Sequence, residues 1–466
     1  MKLRRISVVV AAAAIAGCAP MIPDYKRPAP PVAPTLPGVA AAPGTADTFT
    51  LLKWQDEFAD PRLRELIGLA LAENRDLRIA ALSVERARAS YQIQEANVYP
   101  WLSANGQELA QQLPADLSPT GRARTMHQYS ATFGLNTWEI DFFGRLRSLN
   151  EQALQEYLGT EEGRRAAQVT VVGEVARTWL ALALARELTQ VSRETYEVRK
   201  KAYELARKSF DAGVYSALDV KEQETLMETA RGDAARYEAA AGQALNALAL
   251  AVGAPVPAHL QPDTITATVT AVTDVPAGVR SDVLLQRPDI ARAERQLLAA
   301  NANIGAARAA FFPRITLTGY AGTATASLDG LFAGGSGVWN LLPQISVPIF
   351  NAGSLQASLD AATIQRDINV AQYERSIQNA FREVADALAE RATLAEQLDA
   401  RRKQVAAAEQ GYRLSEARYR GGVDTYVNSL LAQRNLYLAQ QELVLVRHAD
   451  ATNRVAIYRT MGGGWQ

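Results

Sequence analysis

Residues 76–100 read DLRIAALSVERARASYQIQEANVYP, and residues 289–313 read DIARAERQLLAANANIGAARAAFFP. Set one above the other they pair Asp76 with Asp289, Leu77 with Ile290, Ala80 with Ala293, Ala87 with Ala300, Ala96 with Ala309, Tyr99 with Phe312 and Pro100 with Pro313, without a gap. Alanine-rich helices match one another by chance, but coincident aromatic and proline positions do not follow from composition. The chain therefore reads as two copies of one architecture. Further on the register continues as Leu146/Leu355, Glu174/Glu383, Val175/Val384, Ala176/Ala385, Leu205/Leu414, Phe210/Tyr419, Gly213/Gly422 and Val214/Val423.

Each half predicts a helix, a strand pair, a long helix, a turn and a second helix. No proline occurs over 144–254 or 350–466. Val370, Tyr373, Ile377, Phe381, Val384 and Leu388 recur every three or four residues, the period of one helical face. Helices over 145–210 and 355–419 would each be about 98 Å long, more than an ordinary globular core requires, which implies a coiled-coil-like rod or tube. Before each of them the period changes to two. Tyr129, Ala131, Phe133 and Leu135 alternate with Ser130, Thr132, Gly134 and Asn136. Trp339, Leu341, Ile345 and Val347 alternate with Asn340, Leu342, Gln344 and Ser346, lapsing at Leu342. Hairpins are expected over 100–141 and 313–349, giving four strands of membrane-spanning length. Tyr99, Trp101, Trp138, Phe142, Phe143, Phe311, Phe312 and Phe350 fall where helix meets strand, where an interfacial girdle would lie. Four strands cannot close a transmembrane barrel alone, so oligomerisation is required.

The chemistry of the 466 residues is bland. Forty-nine basic and 49 acidic side chains balance, leaving no basic field for nucleic acid. One cysteine and three dispersed histidines, His127, His259 and His448, exclude a disulfide framework and fit no metal-ligand spacing. Gly334-Gly335-Ser336-Gly337 lacks the strand, elbow and helix context of a hydrolase, and no phosphate-binding Gly-x-x-x-x-Gly-Lys loop is present. No catalytic residue, metal or cofactor is expected, and any energy source belongs to a partner.

Lys2, Arg4 and Arg5 precede an apolar run over 6–16 with the form of a secretory leader, assigned to 1–17. Ile15-Ala16-Gly17-Cys18 resembles the bacterial lipobox, which implies a covalent lipid such as palmitate on Cys18. Ala19, in place of the aspartate associated with inner-membrane retention, favours outer-membrane sorting. Residues 18–53 are expected to form an extended tether, 254–286 a linker between the repeats 54–253 and 287–461, and 462–466 a tail.

These features together resemble the outer-membrane efflux lipoproteins, the channel components of tripartite resistance-nodulation-division multidrug pumps. The matching residues are Trp54-x-x-x-Phe58-x-Asp60-Pro61, the run from Trp138-Glu139-Ile140-Asp141 through Phe142-Phe143-Gly144-Arg145-Leu146-Arg147, Arg287-Pro288-Asp289-Ile290, Ala309-Ala310-Phe311-Phe312-Pro313, Gly422-Val423-Asp424 and Gly462-Gly463-Gly464-Trp465. The resemblance implies a membrane α+β fold: a homotrimer with a twelve-stranded outer-membrane β-barrel, four strands from each protomer, continued by a periplasmic α-helical barrel. It also implies a periplasmic adaptor and an inner-membrane proton-driven pump as partners. The turns near 211–216 and 420–425 would lie at the periplasmic tip, with Gly213, Val214, Gly421, Gly422 and Val423 available for adaptor docking, and the linker would pack outside the tube as an equatorial belt.

By the same resemblance the gate-forming helix follows Gly-Val-Asp, in a family pattern ending Asp-Ala-Gln-Arg. Here Leu431 replaces the aspartate, and Arg434 keeps the basic position. Val427 and Leu431 are four residues apart and share a helical face, so three copies can form stacked apolar rings. Asp424, Tyr419, Arg418 and Arg420 are candidate polar links, and Asp219 and Glu222 stand at the matching place in the first half. The resulting expectation is a passive exit duct for antibiotics and other small toxic compounds. A type I protein-secretion duct would share this architecture, and a purely structural lipoprotein would not need the alternating strands.

Overall fold

The computed structural model describes residues 20–37, 53–265, 269–270 and 278–464. The leader, Cys18, tether residues 38–52, linker residues 266–268 and 271–277, and Trp465 lie outside them. Helices α1 (Trp54–Glu57), α2 (Pro61–Glu73) and α3 (Arg75–Ala96) come first. Asp60 caps α2 by accepting from the Arg62 N–H at 2.8 Å, ahead of a proline whose missing N–H has no helical partner to lose. Asn74 separates α2 from α3: its Oδ1 accepts from the Leu77 N–H at 2.9 Å while its Nδ2 donates to the Ala251 carbonyl at 2.8 Å.

Strands β1 (Leu102–Leu113) and β2 (Arg124–Glu139) follow, then α4 (Arg145–Asp211) and α5 (Ala217–Val252). The second half repeats the order as α6 (Pro288–Ala309), β3 (Arg314–Thr325), β4 (Gly337–Ser346), α7 (Ser354–Arg420) and α8 (Tyr426–Thr460). α3 and α6 are 22 residues each, and α4 and α7 are 67 residues each. The ends of the two long helices agree with the predicted limits to within a residue.

The strands form one antiparallel sheet in the order β1-β2-β3-β4, so the two hairpins join through β2 and β3. Residues directly opposite one another share a face, and the register therefore sorts the side chains. One face carries Leu102, Leu135, Phe133, Leu317, Ile315, Leu341, Trp339 and Ile345, giving way to Glu108 and His127 toward the 114–123 loop; the other carries Ser103, Asn105, Gln107, Thr132, Thr316, Thr318, Asn340 and Gln344, with Leu109 and Met126 toward the same loop. Leu342, the lapse in the alternation, pairs with Thr318 on the polar face. Phe133, Leu341, Trp339 and Ile345 are all exposed. Within the described chain neither face of the sheet is covered as a globular core would be.

Two compact units interleave the repeats. The first takes 1–29, 83–160 and 292–373, with the sheet; the second takes 30–82, 161–291 and 374–466. In the second unit Trp179 is fully buried in a cluster with Leu63, Leu66, Ile67, Leu248, Val252 and Val444. Its indole N–H donates to the Leu260 carbonyl at 3.0 Å. Arg186 donates to the Pro262 carbonyl at 2.9 Å, and Glu187, ion-paired with Arg447, accepts from the Ile265 N–H at 3.0 Å. Linker residues Leu260, Ile265, Val269, Val279 and Leu284 are buried. The linker is thus part of this unit's core as well as a connection, because its apolar side chains, though aperiodic in sequence, are pinned by polar contacts from α4 and α8.

Candidate functional site at the helix tips

α4 and α7 end in the same device. Gly213 has φ +73° and Gly422 has φ +70°. Gly213 N–H donates to Phe210 O and Val214 N–H to Ser209 O (2.9 and 2.8 Å); Gly422 N–H donates to Tyr419 O and Val423 N–H to Arg418 O (both 2.9 Å). Each is a Schellman closure with glycine at the left-handed position, and each satisfies carbonyls that a helix end leaves unpaired. Gly421, the residue before the left-handed Gly422, has no positive φ. Gly422→Ala should therefore cost about 1 kcal/mol locally, read as roughly fivefold faster hydrogen exchange at the Val423 amide, whereas Gly421→Ala should leave it unchanged. Val214 and Val423, which follow the left-handed glycines, are 74% and 70% exposed.

The next helices are started differently. Ser216 and Asp219 form a capping box at α5: Ser216 Oγ accepts from the Asp219 N–H, and Asp219 Oδ2 accepts from the Ser216 N–H at 2.8 Å. Asp219 therefore has a local task, whatever it faces in an assembly. Asp424 accepts from Asn428 Nδ2 at 2.6 Å, from the Thr425 N–H at 2.8 Å and from Arg418 Nε at 3.1 Å. These donors, Asn428 foremost, hold its carboxyl below the usual carboxylate range. Arg420 pairs with Glu416 on its own helix at 2.6 Å.

Sequence reasoning missed a tyrosine cluster that joins the two tips. Tyr419 O–H donates to Tyr215, the rings of Tyr419 and Tyr426 lie 4.9 Å apart, those of Tyr215 and Tyr426 5.6 Å apart, and Gln223 donates to the Tyr426 hydroxyl. A tyrosine just after each Gly-Val turn was the available signal. Beside this cluster, Val427, Leu431 and Arg434 of α8 share a crevice of about 360 Å³ with Leu218, Glu222 and Leu226 of α5. Val427 and Leu431 thus line one crevice, bordered by the carboxylate of Glu222 and the cations Lys221 and Arg434.

The aromatic residues lie in the first unit. Phe143 and Phe312 stack with centroids 4.9 Å apart, and Trp138 donates to the Val98 carbonyl at 3.0 Å. Tyr99, Trp101, Phe311 and Phe350 are exposed, and Phe142 is half-buried. Among the described residues no helix is long and apolar enough to cross a membrane.

Against known proteins, the family model for outer membrane efflux proteins matches this chain twice, over 66–254 and 279–463. The toluene efflux pump outer membrane protein TtgC of Pseudomonas putida is 47% identical over 463 residues, 99% of this chain and 95% of that one. The antibiotic efflux pump outer membrane protein ArpC of Pseudomonas putida matches with the same identity and coverage. The open state of the MtrE outer membrane channel of Neisseria gonorrhoeae is similar at a TM-score of 0.86 and 36% identity, over 96% of this chain and 99% of that one. The chain belongs to the outer membrane efflux protein family. It is an outer-membrane protein, the duct component of an efflux pump, with the family's membrane α+β architecture of trimeric β-barrel and α-helical barrel built from two repeats per chain.

Proposed function

We propose that this chain is a passive conduit for antibiotics and other small toxic compounds, working as a homotrimer without a catalytic residue or a cofactor beyond lipid on Cys18. The observation that carries the reading is the sheet register, with one exposed apolar face suited to lipid and one polar face suited to a wet lumen. Among the described residues β1 and β4 each have a single strand neighbour, which leaves edges for other copies to pair. A proton-driven inner-membrane pump supplies the energy, and a periplasmic adaptor docks at the turns bearing Val214 and Val423. Docking opens the duct only insofar as the adaptor binds the open state more tightly than the closed one.

The gate in this proposal is the crevice face of α8. Three copies of Val427 and Leu431 around an axis make apolar rings that dewet a narrow pore, and Arg434 and Glu222 border them. The double variant Val427→Ala, Leu431→Ala should raise single-channel conductance of the reconstituted trimer; unchanged conductance removes these residues from the gate. The function as a whole is tested in a deletion strain with and without the wild-type chain, measuring accumulation of several antibiotics and dyes together with the secreted proteome. Raised accumulation reversed by complementation, with an unchanged secretome, is the expected result. Loss of particular secreted proteins with normal drug accumulation would replace it with protein secretion.

A further inference from the structure

In the second unit α4 buries a cation. Arg199 is 1% exposed. Its Nη1 donates to the Leu226 carbonyl of α5 at 2.8 Å, and its guanidinium carbon lies 4.8 Å from the centre of the Tyr437 ring of α8. Nε and Nη2 are buried and meet no acceptor among the described residues. That pair of nitrogens is the edge that Arg27, Arg145, Arg177 and Arg287 each present to one carboxylate. Around Arg199 the carboxylate is engaged elsewhere. Asp233 of α5 accepts from the Tyr437 hydroxyl at 3.0 Å and from Arg236 at 2.9 Å, and the same hydroxyl bonds Ser192 of α4 at 2.9 Å. Burial lowers the Arg199 pKa from its ordinary value, with Tyr437 and Asp233 opposing the shift. A guanidinium starts so high that it stays charged.

An enclosed cation without a counter-ion is costly, and apolar replacement of buried ionic groups at similar volume is often neutral or stabilising. The doubled architecture does not call for arginine here either. At the offset of 209 that pairs Glu174 with Glu383 and Leu205 with Leu414, Arg199 matches Ala408. What sets Arg199 apart is the place of its contacts. The side chain of Leu226, whose carbonyl it holds, lines the crevice with Val427 and Leu431. Tyr437 follows Leu431 by six residues, about 9 Å along α8. Arg199 thus grips both walls of the crevice from a third helix, α5 by a backbone oxygen and α8 by an aromatic face.

We propose that Arg199 is a positioning residue for the gate: from α4 it clamps α8 to α5, holding Val427 and Leu431 in the narrow arrangement until docking draws α8 away. The clamp rests on the gate proposed above. The bond to Leu226 keeps the guanidinium aimed, and the attraction to the Tyr437 ring is strong only while water is excluded. Once α8 moves far enough for water to enter, the contact is lost and the cation regains hydration, so the clamp holds the narrow state without making it irreversible.

The test uses the full-length trimer in planar bilayers, with thermal unfolding of the same preparations. Arg199→Met keeps most of the bulk and removes the charge. Its open-to-closed dwell ratio should rise about tenfold, the weight of a desolvated cation–π contact, while its melting temperature stays at or above that of wild type. Tyr437→Leu should shift the ratio in the same direction. The double variant Arg199→Met, Tyr437→Leu should go no further than Arg199→Met, because one shared contact is lost only once. Arg199→Lys, which restores a cation, should recover part of the shift. A wild-type dwell ratio in Arg199→Met overturns the clamp, as does a double variant whose effects add. A changed ratio with a lowered melting temperature and no recovery by lysine makes Arg199 a packing residue and also overturns it. Where Arg199→Met does not assemble, wild-type gating in Tyr437→Leu overturns the clamp by itself. The Val427→Ala, Leu431→Ala channel separates the two readings. If it conducts more than wild type while Arg199→Met gates normally, the gate stands and the clamp falls; if it conducts as wild type, the gate falls and takes the clamp with it.

Discussion

Gly322→Val is expected to prevent trimer assembly and to raise drug accumulation to the level of a strain lacking the protein. A Cβ at Gly322 would stand 2.1 Å from the Ala131 carbonyl oxygen and 2.7 Å from Thr132 Cα, atoms of the β2 backbone that no rotamer change can move. A Cβ at Gly134 would meet β3 in the same way, 2.3 Å from Gly319 O and 2.5 Å from Tyr320 Cα. Both positions lie on the polar face of the seam between the two hairpins. Glycine in a strand interior marks such close backbone approach. A branched side chain there has to separate β2 from β3, at a cost of about 3 kcal/mol or more in each of three copies. Gel mobility of unheated outer membranes, followed by dye accumulation, reads both effects. Gly106→Ala is the control, since nothing lies within 4 Å of its Cβ position. An unheated Gly322→Val sample that migrates as wild type would show that the seam tolerates a side chain.

Trp179→Ala should be the most damaging single truncation in the second unit. The side chain is fully buried among α2, α5 and α8 residues, and its N–H satisfies the Leu260 carbonyl at 3.0 Å. Removing it leaves a cavity and an unpaired carbonyl, a loss of about 3–5 kcal/mol. Trp179→Phe keeps most of the packing and loses the hydrogen bond, so about 1–2 kcal/mol is expected. Thermal unfolding of the purified protein followed by circular dichroism should rank wild type, Trp179→Phe and Trp179→Ala in that order. Equal melting temperatures for the two variants would mean that the hydrogen bond, not the volume, is what Trp179 provides.

Both variants act on features that left little trace in the sequence. Gly134 and Gly322 occur among other glycines and alanines, and nothing nearby marks them as points of backbone contact. Trp179 stands in a helix already rich in apolar residues, so its link to a linker carbonyl 81 positions later is not a matter of periodicity. The tip was more legible. Gly213 and Gly422 occupy equivalent places in the two halves, and a helix reversal there requires a left-handed residue. The tyrosine cluster was not, because Tyr215 and Tyr419 meet across 204 residues.

What the sequence determined by itself was whatever depends on near neighbours along the chain. The doubled pattern, the two long helices, the alternating strands and the glycine turns each follow from a period or a backbone preference that repeats locally. What only the tertiary structure decided was which distant pieces touch: the β2–β3 seam that makes one sheet from two hairpins, the burial of the linker by α4 and α8, the tyrosines that join the tips, and the contacts of Pro23 and Arg27 with Asn301 and Glu294 on α6. Those depend on shape and hydrogen-bond geometry between residues far apart in sequence, and a single strand or helix carries no record of the partner it will meet.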